Sequence, residues 1–118
     1  MKKRYLMSLK DILESMNRID SYTKDMGYDS FSQNQLVIDA VIRNLEIIGE
    51  AAKNIPEEVK NKYNKIPWRK MIGLRNVLIH EYFGVDELIV WEIIKTDLLK
   101  IKPDILGAIK EEEGLDIT

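Results

Sequence analysis

IDAVIRNLEIIGEAAKNI, residues 38–55, is the segment with the clearest structural pattern in the chain. Its apolar residues recur at intervals of three and four: Ile38, Val41, Leu45, Ile48, Ala52 and Ile55. This spacing is typical of one face of an α-helix. A second stripe at the same spacing is charged: Asp39, Arg43, Glu46, Glu50 and Lys53. We predict a helix that ends near Asn54, and its small residues Gly49, Ala51 and Ala52 would let another helix approach closely.

The residues before this helix carry the signals of a helix start. Ser32 and Gln35 have the spacing of a capping box, in which Ser32 is the N-cap and Gln35 reaches back to it. Farther upstream, an apolar stripe predicts a first helix that stops at Gly27. The members of this stripe are Tyr5, Leu9, Ile12, Met16, Ile19, Tyr22 and Met26. Residues 28–31 are expected to form the loop between the two helices.

Two prolines predict the next two helix starts. Pro56 suits the first turn of a short helix over residues 56–63, because a proline there loses no helical hydrogen bond. Pro67 starts a longer helix in the same way, and Gly84 is expected to end it.

A last helix should begin at Asp86, a good N-cap residue. Pro103 is expected to kink or break this helix near residues 99–102, because its ring displaces the carbonyl four residues back. The residues expected to face inward are Leu88, Trp91, Ile94, Leu98, Ile101, Ile105 and Ile109. The acidic tail, residues 111–118, is expected to fray.

The composition is that of one folded domain. The chain has 118 residues, of which 45% are hydrophobic and 32% are charged, and no alternating strand pattern competes with the helical one. We predict a single all-α domain over residues 1–118, a bundle of four main helices plus a short one. No apolar run approaches the roughly 20 residues that a membrane span needs, so a cytoplasmic protein without membrane partners is expected.

Charge and residue usage exclude several kinds of site. Eighteen basic and twenty acidic residues give a net charge of −2, so binding to nucleic acid would need a local basic patch. The absence of cysteine excludes disulfides, thiolate metal sites and a cysteine nucleophile. The single histidine, His80, excludes a His-rich metal site or a two-histidine acid/base pair within one chain. No metal or other cofactor is expected.

The segment GLRNVLIHEY, residues 73–82, contains the side chains that are still candidates for catalysis. Arg75 can donate a planar fork to phosphate oxygens, and His80 can transfer a proton near neutral pH. Such a pair could support RNA cleavage by the RNA's own 2′-hydroxyl. On a regular helix the two residues lie about 140° apart, so a shared site needs helix distortion or a second subunit. Alternatively, these residues only cap a helix end and stabilise its dipole.

A basic segment lies just upstream. Between residues 53 and 70, six basic side chains stand against Glu57 and Glu58: Lys53, Lys60, Lys62, Lys65, Arg69 and Lys70. The last four, Lys62, Lys65, Arg69 and Lys70, are candidate RNA contacts that would guide the backbone toward Arg75. A solvated helix face is the alternative.

The charged stripe on residues 39–53 also has more than one interpretation. Arg43, Glu46 and Glu50 could pair across helices or orient Arg75. They could instead form an exposed ladder of pairs within one helix, which we favour slightly. A carboxylate metal site at Glu46 and Glu50 is a further alternative without support from the sequence.

The ordered motifs resemble those of the HEPN superfamily. Residues 75–80 match its Arg-x(4–6)-His signature, with Asn76 directly after the arginine. Tyr82 extends the match to Arg-x(4)-His-x-Tyr, the pattern of the HepT toxins. Further similar segments are residues 43–52, 67–68, 71–76, 82–86 and 90–94, so the resemblance covers roughly residues 5–105.

The resemblance implies a homodimeric helical bundle in which the motif helices of two chains face one another across a cleft. It also implies a metal-independent endoribonuclease that acts as a toxin beside a minimal nucleotidyltransferase antitoxin. By position, Arg75 and His80 would be catalytic and Asn76 supporting. Tyr82 would be the residue to which the antitoxin adds AMP units, and this addition would neutralise the toxin.

The implied chemistry is cleavage to a 2′,3′-cyclic phosphate and a 5′-hydroxyl. His80 would assist deprotonation of the 2′-hydroxyl or protonation of the leaving 5′-oxygen, and Arg75 would stabilise the charge on the phosphorane. Two alternatives stay open. One is a catalytically silent binding module that regulates its nucleotidyltransferase partner, and the other is a structural dimer whose polar motif only fixes helix ends.

Overall fold

The computed structural model describes residues 4–79 and 86–117, and the side chains within residues 4–75 and 86–115. The elements are α1 (Arg4–Tyr22), α2 (Tyr28–Ser32), α3 (Gln35–Lys53), α4 (Glu57–Lys62), α5 (Trp68–Ile79), α6 (Glu87–Glu92), a π-helical segment (Ile93–Asp97) and α7 (Leu98–Ile117). No strand occurs among these residues, which confirms the predicted all-α class. None of the described helices is long and apolar enough to cross a membrane.

Helix α3 lies at the centre of the bundle. It packs against α1 and α5, and α1 also packs against α7. All six apolar positions of the segment 38–55 are buried, as predicted, and Val41, Leu45 and Ile48 are fully inaccessible to solvent. The position of α3 matters for the site, because it brings the charged stripe of this helix beside α5.

The connection between α1 and α3 differs from the prediction. Helix α1 ends at Tyr22 rather than near Gly27, and the chain turns at Asp25, whose φ of 63° is left-handed. The expected loop at residues 28–31 is instead the short helix α2. It buries Phe31, whose ring centroid lies 5.0 Å from that of Trp91. We attribute the extra turn to burial of this aromatic side chain, which stabilises a helix too short to persist alone.

The predicted capping box at the start of α3 is wrong. The N-cap is Asn34, whose side-chain oxygen accepts a hydrogen bond of 3.1 Å from the Val37 amide. Ser32 belongs to α2 and donates to the Asp29 carbonyl, while Gln35 donates to Asp39. Asparagine and serine cap helices about equally well. Because Ser32 is the last residue of α2, Asn34 is the residue in position to cap α3.

Of the kink or break expected near residues 99–102, the break does not occur, because helix α7 is continuous through Pro103. The buried side chains of Ile101 and Ile105 flank the proline, and their packing holds the helix together although one hydrogen bond is lost. The irregularity lies upstream, in the π-helical segment. Its wider turn shifts the phase of α6 relative to α7, so Val90 is buried and Leu88, expected inside, is 47% exposed.

Two further predictions concern the start of α6 and the end of α7. Asp86 caps α6 as expected, accepting hydrogen bonds from the Leu88 and Ile89 amides. The tail that is expected to fray, residues 111–118, is helical as far as Ile117, where α7 ends. Glu112 is buried there and accepts hydrogen bonds from the Tyr5 hydroxyl, from Tyr63 at 2.5 Å and from Lys62 at 2.8 Å. This network fastens the end of α7 to α1 and α4.

The network also fixes the charge state of Glu112. Burial alone would raise the pKa of its carboxyl, but the hydrogen bonds from Lys62, Tyr5 and Tyr63 outweigh burial and lower the pKa from 4.5 to about 2. Burial, with the hydrogen bond to Glu112, raises the pKa of the Tyr63 hydroxyl. Glu112 therefore remains ionised in the folded protein at pH values where an unfolded chain would protonate it.

We expect this carboxylate to make stability depend on pH in the acid range. A lowered pKa means that the unfolded state binds the proton more readily, so the contribution is complete above about pH 5 and is lost between the pKa of 4.5 and about 2. Denaturant unfolding should show Glu112→Gln to be less stable than wild type by about 2 kcal/mol at neutral pH. This difference should vanish near pH 2. A difference that does not change with pH would contradict the account.

Candidate active site around Arg75

Helices α3 and α5 approach closely at Gly49, as the small residues there predicted. A Cβ atom added to Gly49 would lie 3.2 Å from the Met71 carbonyl oxygen and 3.4 Å from the Arg75 Cβ. The glycine therefore lets the backbone of α5 rest on α3. The contact brings Arg75 next to the charged stripe of α3.

Arg75 forms an ion pair across this contact. Its Nη1 donates a hydrogen bond of 2.8 Å to Oε2 of Glu50, and the two side chains are 48% and 52% exposed. A guanidinium carries five N–H donors, so four remain for other partners. Among the described residues, no second acceptor contacts them. Within the described residues, Arg75 is thus held by one hydrogen bond, and its other donors have no partner.

The pair borders a groove of about 380 Å³ between α1, α3 and α5. Its lining residues are Ser8, Asp11, Arg43, Glu46, Ile47, Glu50, Ala51, Asn54 and Arg75. Arg43 and Glu46 pair within α3 at 3.6 Å. The charged stripe is therefore divided: part of it is an intrahelical pair, and Glu50 pairs across helices with Arg75.

The metal alternative at Glu46 and Glu50 finds no support in this geometry. Among the described side chains, no three His, Cys, Asp or Glu residues are grouped closely enough to hold a metal ion.

The rest of the motif is only partly covered. The backbone of Asn76 lies in α5, one residue beyond Arg75, but its side chain is outside the described residues. His80, Tyr82 and the expected helix end at Gly84 also lie outside them. The arrangement of Arg75 and His80 therefore stays a prediction.

The four candidate RNA contacts do not form one uniform surface. Lys62 is paired with the buried Glu112, so its charge already has a role in the fold. Lys65, Arg69 and Lys70 are exposed and form no ion pair within the part of the chain that the structure describes. Lys65 and Lys70 line one recess together with Lys100, and Arg69 lines another.

Sequence patterns did not identify the polar residues at two places: the lining of the Arg75 groove and the hydrogen-bond network at the end of α7. Asp11 and Asn54 line the Arg75 groove from α1 and from the end of α3, and no local pattern marks them. Glu112 did carry a signal, because it lies seven residues after Ile105 and three after Ile109. A carboxylate at this position on the apolar face of a helix needs hydrogen-bond donors around it.

Comparisons with known proteins agree with the resemblance of the motifs. The family model for ribonuclease HepT-like proteins matches residues 12–110. The chain is 48% identical, over 82% of its length and 89% of the relative's, to "Putative RNase MJ1380" of Methanocaldococcus jannaschii. It is 42% identical, over 86% of its length and 93% of the relative's, to "Probable ribonuclease HepT" of Thermococcus cleftensis.

A third relative is longer. The "Gamma-glutamylcyclotransferase and putative RNase MJ0434" of Methanocaldococcus jannaschii is 47% identical over 94% of this chain, which spans 50% of that protein. A search of the solved structures gives no significant match. The match of the family model over most of the chain confirms the suspected relationship: this protein belongs to the ribonuclease HepT-like family of the HEPN superfamily.

Proposed function

We propose that this protein is a metal-independent endoribonuclease that cleaves RNA through attack of a 2′-hydroxyl on the adjacent phosphate. The observation that carries the proposal is the state of Arg75. Its guanidinium is fixed by one hydrogen bond to Glu50 at the edge of a groove, and no other described residue occupies its remaining donors. Membership in the ribonuclease HepT-like family supports the same assignment.

The chemistry divides between two residues of the motif. Arg75 stabilises the negative charge that develops on the phosphate oxygens as the 2′-oxygen attacks. His80 accepts the proton of the 2′-hydroxyl or donates a proton to the departing 5′-oxygen. The products are a 2′,3′-cyclic phosphate and a 5′-hydroxyl, and Asn76 supports the site by holding the phosphate or orienting His80.

The proposed active form is a homodimer. On a regular helix Arg75 and His80 of one chain point about 140° apart, so a site built from one chain is hard to assemble. A two-fold axis beside the motif would bring Arg75 and His80 of one chain into the same cleft as those of the other chain. The groove beside Arg75 would then lie next to the place where the chains meet.

The proposed biological role is that of a cytoplasmic toxin with a minimal nucleotidyltransferase antitoxin as its partner. Addition of AMP to the Tyr82 hydroxyl would place bulk and negative charge two residues from His80. Because RNA is a polyanion, such a group would repel it and silence the enzyme. The resemblance of Arg-x(4)-His-x-Tyr to the HepT motif supports this part of the proposal.

The test is cleavage of RNA by the wild-type protein in EDTA, after mass spectrometry has shown Tyr82 to be unmodified. We expect fragments with 2′,3′-cyclic phosphate and 5′-hydroxyl ends. A substrate with a single 2′-deoxy sugar at a mapped cleavage site lacks the attacking hydroxyl there, so it should resist cleavage at that site only. Fragments with 5′-phosphate ends, or cleavage that needs a divalent metal, would contradict the proposed chemistry.

Neutralising Lys65, Arg69 and Lys70 together should weaken RNA binding without changing base preference. The logarithm of the binding constant falls as the logarithm of the salt concentration rises, and each phosphate contact on single-stranded RNA contributes about 0.7 to the steepness of this fall. The triple glutamine variant should therefore show a slope that is shallower by up to about 2 units. Titration of a non-cleavable 2′-deoxy oligonucleotide at several salt concentrations measures the loss of affinity and the change in slope.

A variant of equal charge provides the control for this cluster. Arg18, Lys24 and Lys110 are exposed and line neither of the two recesses. Replacing them by glutamine should change the slope much less than the cluster variant does. Equal losses in the two variants would show that total charge, rather than this surface, governs binding.

A further inference from the structure

We propose that Glu50 is the positioning residue of the active site, which holds the Arg75 guanidinium in the orientation needed to stabilise the transition state. This inference rests on the proposed ribonuclease function and assigns a role to a residue outside the Arg-x(4)-His motif. The two side chains are 25 residues apart in sequence and 2.8 Å apart in space.

The first support is the way in which the contact is built. Glu50 follows Gly49, where α5 lies so close to α3 that a single Cβ atom would crowd both the Met71 carbonyl and Arg75. The backbones on both sides of the pair are therefore fixed relative to one another. An arginine side chain has several rotatable bonds, and a fixed acceptor at its end restricts the guanidinium to one region of the groove edge.

The second support is that the bond leaves the arginine usable. Glu50 engages Nη1 alone, although a carboxylate can bind a guanidinium through two parallel hydrogen bonds. A two-point contact would occupy the edge that a phosphate needs. The one-point contact anchors the group, and no described residue occupies the other four donors, which can bind phosphate oxygens.

The third support is that stability does not account for the pair. Both side chains are about half exposed, and exposed ion pairs contribute only about 0–1 kcal/mol to folding. A carboxylate beside a site for a polyanion also opposes RNA binding by charge repulsion. We infer that Glu50 acts on the rate of cleavage, at some cost to RNA affinity.

This role has a kinetic signature that a structural role lacks. In Glu50→Ala the guanidinium loses its anchor, and misplacement of a catalytic group by about 1 Å lowers rates by about 10²-fold. We therefore expect kcat to fall by about 10- to 100-fold. The KM for RNA should stay the same or fall, because a negative charge has left the groove. Glu50→Gln keeps an acceptor oxygen, so its kcat should lie between those of Glu50→Ala and wild type.

Glu14 provides a matched control outside the groove. It pairs with Arg18 at 2.7 Å, both side chains are about half exposed, and neither residue lines the groove beside Arg75. Glu14→Ala removes the same charge and an exposed ion pair of the same kind, and it leaves the Arg75 contact intact. We expect its kcat to stay within about twofold of the wild-type value, and thermal unfolding should show all three variants to be folded.

The experiment measures kcat and KM of the wild type and the three variants on one RNA oligonucleotide in EDTA. A lower kcat in Glu50→Ala, with partial recovery in Glu50→Gln and none of the loss in Glu14→Ala, would support the inference. Equal kcat in Glu50→Ala and wild type, or a higher kcat, would overturn it while the ribonuclease function stands. An unmodified wild type that cleaves no RNA would overturn the proposed function and this inference with it.

Discussion

Arg75→Ala is expected to lower the rate of RNA cleavage by about 10²- to 10³-fold, the usual effect of removing a donor that stabilises transition-state charge. The folded structure should survive, because Arg75 is half exposed and its only described polar contact is the surface pair with Glu50. Single-turnover cleavage in EDTA measures the rate, and thermal unfolding checks the fold. We expect the unfolding free energy to change by no more than about 1 kcal/mol.

Arg75→Lys separates charge from geometry in this prediction. Lysine keeps the positive charge but lacks the planar fork that can hold two phosphate oxygens at once. Its cleavage rate should therefore lie well below that of wild type, while binding of a non-cleavable RNA should be weakened less than in Arg75→Ala. A folded Arg75→Ala protein that cleaves at the wild-type rate would remove Arg75 from the mechanism.

His80→Ala is expected to lower the cleavage rate by about 10²- to 10⁴-fold, which is the range for loss of a general acid or base. No other histidine occurs in the chain, so no second imidazole can replace it. Circular dichroism and thermal unfolding should show a folded protein. Binding of a 2′-deoxy oligonucleotide should be nearly unchanged, because the role proposed for His80 is proton transfer rather than RNA binding.

A wild-type pH profile provides an independent check on His80. The cleavage rate should depend on a group that titrates near neutral pH, where a histidine is expected to do so. The small residual rate of His80→Ala should lose this dependence. Loss of stability in His80→Ala, without a specific loss of cleavage, would favour the alternative in which the motif only fixes a helix end.

The helices could largely be predicted from the sequence, because apolar periodicity reports directly on burial. The segment 38–55 and the cap at Asp86 followed from local spacing alone. The errors occurred where tertiary packing overrode a local signal. Burial of Phe31 turned an expected loop into α2, and packing around Ile101 and Ile105 kept α7 intact at Pro103.

The candidate site could be predicted only in part. The motif predicted a phosphate-binding role for Arg75, but the pairing of Arg75 with Glu50 depends on which helix docks at Gly49. The sequence had left that pairing open beside an intrahelical ladder. The same holds for Lys62, where the run of basic residues indicated an RNA contact and the fold places its charge against the buried Glu112.

The most direct test of the ribonuclease assignment compares wild type and His80→Ala in cleavage of total cellular RNA, in EDTA and with Tyr82 shown by mass to be unmodified. We expect wild type to produce fragments with 2′,3′-cyclic phosphate ends and the folded variant to produce almost none. Equal cleavage by both proteins would point to a contaminating nuclease and contradict the role of His80. No cleavage by either protein would contradict the enzyme assignment and favour a binding module that regulates a nucleotidyltransferase.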